Sequence, residues 1–336
     1  MNKIIECVPN FSEGRDARKI AKIVGEIEKV KDVKLLNVES DADYNRTVVT
    51  FAGKPEAVKD AAFYAIEMAA EVIDMSHHKG AHPRIGATDV CPFIPVSYVT
   101  MDECVQIART LGKEVGEWLG IPVYLYGEAA VIPERHILPD IRKGEYEGLP
   151  EKLKDEKWRP DYGPVEFNEN VRRTGATVIG AREFLIAYNV NLDTQDIQIA
   201  NKISGIVRAS GVVQVNEKGE KVRVPGLLKC VQAMGVYLKE HNITQISINL
   251  LNYKVTPPHV AFEEVKRQAE KFGVCATGSE VVGLIPKEAL LAAGRFYSKE
   301  LLEKQLIAVA VEKLGLSQLN KFIPEKKMIE YLLGLE

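Results

Sequence analysis

Three of the chain's six histidines fall in one stretch, Ser76-His77-His78-Lys79-Gly80-Ala81-His82-Pro83-Arg84-Ile85-Gly86-Ala87-Thr88-Asp89. Its glycines and proline hold the backbone as a loop, and loops on a rigid scaffold are where catalytic groups concentrate. Three uses suit such a loop. Histidines with an aspartate can ligate zinc, although His77 and His78 are adjacent and no HExxH helix is present. A single imidazole, titrating at about pH 6.5, can take and return a proton at neutral pH, with Asp89 or another carboxylate orienting the ring. A histidine can also simply satisfy buried carbonyls.

A second group, Asp41, Asp43, Asn45 and Arg46, precedes an apolar run. Short polar side chains serve turn backbones, whereas an Asn-Arg pair can grip a carboxylate through the planar guanidinium fork. Ser12-Glu13-Gly14-Arg15 reads either as helix capping or as anion binding at a helix start. It lacks GxxxxGK[ST], which disfavours nucleotide hydrolysis. Gly278 to Gly283 holds neither a nucleophile elbow nor GxGxxG.

These groups need elements to position them. Residues 3–8 form a short apolar run ended by Pro9, and Ile20, Val24, Ile27 and Val30 share one helix face. Val33 to Val38 and Thr47 to Phe51 read as strands. Pro55 opens a helix with Val58, Ala62, Ala65, Ala69 and Val72 on one side. Residues 76–97 hold too many glycines and prolines for a long helix. Thr100 or Asp102 caps a helix to Leu119, and Ile121 to Tyr126 reads as a strand. From about 133 to 175, five prolines and mixed charge suggest a solvated, linker-like segment.

Strands resume at Thr177 to Ile179 and Phe184 to Leu192, then a helix begins near Asp193 or Asp196. Residues 245–250 alternate strictly, so Gln245, Ser247 and Asn249 share a polar face that meets ligand or solvent. Pro257 and Pro258 open a further helix. The tail from Ser298 is amphipathic and broken by Pro324. Two α/β (α+β) units with mixed sheets are therefore expected, with residues 1–180, 181–326 and a tail at 327–336.

The 336 residues amount to about twice a usual domain, and 46% hydrophobic with 27% charged residues is an ordinary globular mix. A net charge of −3 excludes the basic footprint of a nucleic-acid binder. No window of about 18 apolar residues suggests a membrane span, and the N-terminus lacks a signal-peptide core. Five scattered cysteines without a CxxC pair suit reduced thiols in a cytoplasmic protein.

Longer motifs add a resemblance. Glu6-Cys7-Val8-Pro9-Asn10-Phe11-Ser12-Glu13-Gly14, Asn45-Arg46-Thr47-Val48 and Gly80-Ala81-His82-Pro83-Arg84-Ile85-Gly86-Ala87 resemble the formiminotransferase family. So do Asp89 to Val96, Pro122 to Ala130, Gly175 to Val178, Val231 to Gly235 and Val281 to Pro286, across roughly residues 4–300. The resemblance implies two α/β subdomains whose sheets face one another around a folate-binding groove, in a homodimer. It implies transfer of a formimino group from N-formimino-L-glutamate to N5 of tetrahydrofolate, in histidine degradation, without a metal.

The family's G-x-H-P-R histidine corresponds to His82, the implied general base and acid. Its folate-contacting stretch corresponds to Gly163, Pro164, Val165, Glu166, Phe167, Arg172, Thr174 and Gly175. Here that stretch is longer than the family's and carries Arg172-Arg173, whose charge suits a polyglutamylated folate tail. Arg15, Arg46 and Arg84 are expected to meet substrate carboxylates. In animals the domain is fused to a cyclodeaminase; with 336 residues, that second activity is expected to be absent. Formyl transfer from N-formylglutamate, and folate binding without turnover, are the alternatives. No nucleic-acid or membrane partner is expected.

Overall fold

Strand-forming and helix-forming runs alternate through the first unit of the chain, Met1–Glu183, and again through the second, Phe184–Glu336. The computed structural model describes residues 3–216, 219–299 and 302–335. In the first unit the strands are β1 (Ile4–Cys7), β2 (Asn10–Phe11), β3 (Val33–Asp41), β4 (Arg46–Gly53), β5 (Thr88–Ser97), β6 (Val123–Gly127) and β7 (Thr177–Ala181). They form one mixed sheet in the order β1-β4-β2-β5-β7-β6, with β3 on β4. Only β5, β7 and β6 run parallel to one another.

Helices α1 (Ala17–Glu28), α2 (Pro55–Val72) and α3 (Met101–Trp118) cover one sheet face. Asp16 caps α1 by accepting from the Arg18 N–H, and Thr100 with Glu103 forms a capping box on α3. Ile23, Ile27, Val58, Ala65, Leu111 and Val115 pack with Phe51, Cys91 and Phe93 in the first core. Cys7 and Cys91 lie there as free thiols with their Sγ atoms 3.5 Å apart.

Strand β5 runs through Pro92 and Pro95, two of the residues that exclude a long helix over 76–97 in the sequence. A bulge accommodates the change of register, with Ile4 facing Ser97 and Ile5 facing Pro95. A second bulge sets Phe11 opposite Thr88 and Asn10 opposite Val90, so Asp89 is the extra residue. Bulges re-aim side chains, and this one lies at the start of β5.

The segment from about 133 to 175, expected to be a solvated connector, packs against the sheet instead. Helices α4 (Leu138–Ile141), α5 (Leu149–Lys152) and α6 (Glu169–Thr174) interrupt it. Ile141, Leu149, Leu153 and Val171 bury against Ile85, Val90, Tyr124, Tyr126 and Val178 as a second core. Pro139 and Pro150 occupy helix first turns, where a missing N–H costs little. Arg135 is buried and fastens the segment. Its Nη1 donates to Asp161 Oδ2 at 2.8 Å, and its Nη2 donates to the Lys157 and Arg159 carbonyls.

The second unit has β8 (Ile186–Leu192), β9 (Val212–Val215), β10 (Lys221–Val224), β11 (Val231–Leu238), β12 (Ile243–Leu250) and β13 (Ala276–Val282). Its main sheet, β11-β12-β8-β13, is antiparallel throughout, not mixed as expected. Crossovers from β8 to β11 and from β12 to β13 interleave the strands, so that every hydrogen-bonded neighbour runs antiparallel. The expected alternation in β12 holds: Ile246, Ile248 and Leu250 are buried. Gln245, on the polar side, is buried as well. Its amide donates to Asn191 Oδ1 at 2.6 Å and Glu280 Oε1 at 2.9 Å.

Helices α7 (Ile197–Val207), α8 (Pro258–Lys271), α9 (Lys287–Tyr297), α10 (Glu303–Lys313), α11 (Pro324–Lys327) and α12 (Ile329–Leu333) complete this unit. The tail docks on it, with Met328 bridging Ile285 and the Ile285 N–H donating to the Lys327 carbonyl at 2.9 Å. Among the described residues, no helix is long and apolar enough to cross a membrane.

Packing of the 133–175 segment is directly testable. Leu149→Ala is expected to cost about 2–5 kcal/mol of stability, the range for truncating a buried leucine. Urea unfolding would measure it. A change within about 0.5 kcal/mol, as for an exposed site, would contradict the packing.

Candidate active site

Register brings five loops to one sheet edge. Phe11 at the end of β2 lies between Thr47 of β4 and Thr88 of β5. The starts of β7 and β6 align with the start of β5, because these strands are parallel. The edge therefore collects Ser12–Arg15, the β3–β4 turn, the histidine loop, and the approaches to β6 and β7. Gly163 closes against the Ile121 carbonyl just before β6, and Gly175 bridges Gly86 just before β5. The segment expected to contact folate thus spans the edge that carries the histidine loop. Its helix α6 packs against the Met75–His77 turn.

Asn45 joins three of these loops. It adopts a left-handed backbone (φ 48°), which Asn tolerates better than most residues. Its Oδ1 accepts from the Gly14 N–H at 2.9 Å, and its Nδ2 donates to the Lys79 carbonyl at 3.0 Å. Its carbonyl accepts from His78 Nε2 at 3.0 Å. Gly14 and Gly80 have no room for a side chain: a Cβ would lie 2.2 Å from the Asp41 carbonyl oxygen and 2.3 Å from that of Tyr44. The N-cap of α1 is Asp16, so Ser12–Arg15 does not cap that helix, and its polar side chains bond nearby backbone instead. Glu13 Oε1 accepts from the Arg15 and Asp16 N–H groups, and Ser12 Oγ donates to the Gly86 carbonyl.

The three histidines differ in role. His77 turns outward to Asp74, at 3.2 Å. His78 is engaged at both ring nitrogens. Arg84 Nε can only donate, so Nδ1 accepts from it at 3.2 Å and Nε2 carries the proton. His82 is half-buried, and its ring meets Tyr44 edge-on at 6.2 Å between centroids. Burial pushes the His82 pKa down to about 3, helped by the positive charges of Arg46, Arg142 and Arg84. It is thus a neutral imidazole at physiological pH. No group of three or more His, Cys, Asp or Glu side chains suited to a metal occurs among the described residues.

The carboxylate expected to orient the ring is engaged elsewhere. Asp89 is buried, accepts from the Ile85 N–H at 3.0 Å, and takes Arg142 through both carboxylate oxygens. Arg142 had no signal in sequence, because it lies in the segment read as a connector. Its importance comes from pairing with Asp89, 53 residues away.

The three expected arginines separate clearly. Arg84 is 5% exposed and occupied: Glu147 binds it bidentately at 2.6 and 2.7 Å, and Glu145 adds a bond at 2.9 Å. These groups line an open depression of about 450 Å³ with Lys79, Gly80 and Gly144. Arg15 is exposed and donates to the Ala42 carbonyl at 2.8 Å. Arg46 lies 5.5 Å from the Tyr44 ring centre, and its Nε is buried without a hydrogen-bond partner. An orphaned, buried guanidinium N–H is costly and suits an arriving anion.

Within the 163–175 segment, Phe167 packs on Tyr146 at 6.2 Å, and Tyr146 Oη donates to the Arg172 carbonyl at 2.5 Å. Arg172 pairs with Glu169. Thr174 and Gly175 are buried, whereas Val165 and Glu166 are exposed and Pro164 is half-buried.

Comparison with known proteins identifies the family. Residues 4–182 match the formiminotransferase domain, N-terminal subdomain, and residues 187–334 match the formiminotransferase domain. The chain is 48% identical to the formimidoyltransferase-cyclodeaminase of Mus musculus over 99% of its own length, and spans 60% of that protein. It is 47% identical to the glutamate formimidoyltransferase of Thermoplasma acidophilum, covering 88% of this chain and 92% of that one. A glutamate formimidoyltransferase of Streptococcus pyogenes is 41% identical over 91% of this chain and 100% of its own.

The His82 shift links to stability. The folded pKa lies below the unfolded value of about 6.5, so the unfolded chain binds that proton first. This group therefore lowers stability as pH falls from about 6.5 toward 3, and contributes no pH dependence above that window. His82→Asn should flatten the urea midpoint between pH 6.5 and 4 relative to wild type. An unchanged slope would place the depressed histidine elsewhere.

Proposed function

The chain belongs to the formiminotransferase family, and we propose that it moves the formimino group of N-formimino-L-glutamate to N5 of tetrahydrofolate, releasing L-glutamate. The observation that carries this reading is His82: a neutral, half-buried imidazole among guanidiniums, on the edge that also holds the 163–175 segment. The N5 amine attacks the formimino carbon and gains positive charge. His82 takes the N5 proton, then returns it to the glutamate nitrogen as the C–N bond to glutamate breaks. One imidazole can serve both steps because the proton it gains is the proton it must give. Holding both substrates together supplies orientation that solution encounters lack.

Tetrahydrofolate lies along Gly163, Pro164, Val165, Glu166, Phe167, Arg172, Thr174 and Gly175 in this reading. Arg172 would have to leave Glu169 to meet a polyglutamate tail. Arg84 would have to exchange Glu147 for a substrate carboxylate. In this reading the protein works as a homodimer, as the family resemblance implies, in the cytoplasm that its scattered reduced thiols suit.

Free glutamate measured with formiminoglutamate and tetrahydrofolate tests the reaction, and no folate-dependent release would overturn it. Turnover with N-formylglutamate in place of the formimino donor would reassign it as formyl transfer. Tight folate binding with no product from either donor would make it a binding protein. His82→Ala should lower the rate about 10²–10⁴-fold with the fold intact; unchanged turnover would place the base elsewhere.

The pH dependence has a definite sign. Substrate carboxylates neutralise the charges that depress His82, so its pKa rises in the complex. The acid limb of kcat should therefore lie at higher pH than that of kcat/KM. Coincident limbs would argue that substrate does not offset those charges.

A further inference from the structure

We propose that Arg46 and Arg142 form a two-guanidinium receptor for the α-carboxylate of the glutamyl donor, with Asp89 as the positioning residue that aims Arg142. The proposal rests on the reaction assigned above and names a specificity element within it. Four observations converge. Arg46, at the first position of β4, has a buried Nε without a hydrogen-bond partner. Arg142 is held through Nε and Nη2 by Asp89, which leaves Nη1 outside that pair. Asp89 is the extra residue of the β2–β5 bulge and is further fixed by the Ile85 N–H. Arg46 and His82 both contact Tyr44, at 5.5 and 6.2 Å between centres, so receptor and base share one support.

Arg46 and Arg142 repel one another, and each adds to the field at His82. Asp89 is bonded to Arg142 and Arg46 has no ion-pair partner among the described residues, so two partly buried guanidiniums suit an anion better than a neutral group. The ligand chemistry, a glutamyl carboxylate, has two sources here: the donor, or the glutamyl tail of folate. Bond connectivity favours the donor. Its α-carboxylate is attached to the carbon that bears the transferred nitrogen, whereas the folate tail is separated from N5 by the pterin and the aminobenzoyl group. A carboxylate beside the catalytic base is therefore the donor's.

The test uses the full chain with saturating tetrahydrofolate. L-Glutamate binding is compared with that of 4-aminobutyrate, which lacks only the α-carboxylate. Wild type should favour glutamate at least about tenfold, the lower range for hydrogen bonds to a charged group. In Arg46→Gln and Arg142→Gln that preference should fall to within about threefold. Arg142→Gln leaves Asp89 buried without its cation and costs stability; Arg46→Gln breaks no ion pair among the described residues and keeps the test valid.

Asp89→Asn should reduce the preference less than Arg142→Gln, with Arg142→Lys recovering part of it. The folate arm compares tetrahydrofolate with tetrahydropteroate, which lacks the glutamyl tail. Loss of discrimination between these two in the arginine variants, with the glutamate preference retained, would assign the receptor to folate and overturn the proposal. So would a wild type that does not discriminate glutamate from 4-aminobutyrate. Because binding is read directly, a protein that binds glutamate selectively yet transfers nothing would refute the reaction and leave the receptor standing.

Discussion

The close approach of three backbones around Asn45 is the constraint on which the site depends. Asn45 uses its side-chain oxygen, side-chain nitrogen and main-chain carbonyl on Gly14, Lys79 and His78. Gly14 and Gly80 allow the neighbouring loops to come within contact of the β3–β4 turn. A side chain at either glycine would push a loop outward and separate Arg46 from the histidine loop. The geometry of His82 is thus set by backbone packing several residues away. A polar network that is fully satisfied holds such a geometry well, since any partial loss leaves buried groups unpaired.

That junction also explains why the site sits where it does. In open sheets built of parallel strands, ligands usually bind beyond the carboxyl ends of the strands. Here the loops gather before the amino ends of β5, β7 and β6. The antiparallel strands β2 and β4 are responsible, because they deliver the Ser12–Arg15 loop and the β3–β4 turn to that edge. A mixed sheet can place a hairpin turn and the approach to a parallel strand side by side, which a wholly parallel sheet cannot.

Local patterns made much of this visible in the sequence. The apolar face of α2, the cap at Thr100 and the alternation of β12 each follow from spacing alone. Strand β5 was hidden because Pro92 and Pro95 remove ladder donors, and the bulges that accommodate the strand depend on partners far along the chain. The 133–175 segment was hidden for a related reason. Its prolines begin helices, and its charges lie outside a core completed by β5, β6 and β7. At the site, His82 was legible through its motif, but the division of labour among the histidines was not. His78 is set apart by Arg84 and Asn45, and Asp89 by Arg142, contacts that no local spacing encodes.

The electrostatics then raise a question that packing alone does not answer. An imidazole pushed down to about 3 is a weak base, and each unit of depression is worth about 1.4 kcal/mol against protonation. Desolvation is the largest cause and persists when substrate excludes more water. The causes that remain at neutral pH are the positive charges of Arg46, Arg142 and Arg84, and those are what an anionic substrate would offset. Occupancy and base strength are therefore coupled through the same guanidiniums. The unliganded protein holds its like charges together because Asp89, Glu145 and Glu147 anchor two of them. In the proposed reaction, binding the donor would relieve the repulsion that remains, so part of its binding free energy would appear as a stronger base at the reacting nitrogen. In that proposal proton transfer is tied to the presence of a carboxylated donor, and a donor without that carboxylate would leave His82 too weak a base to act efficiently.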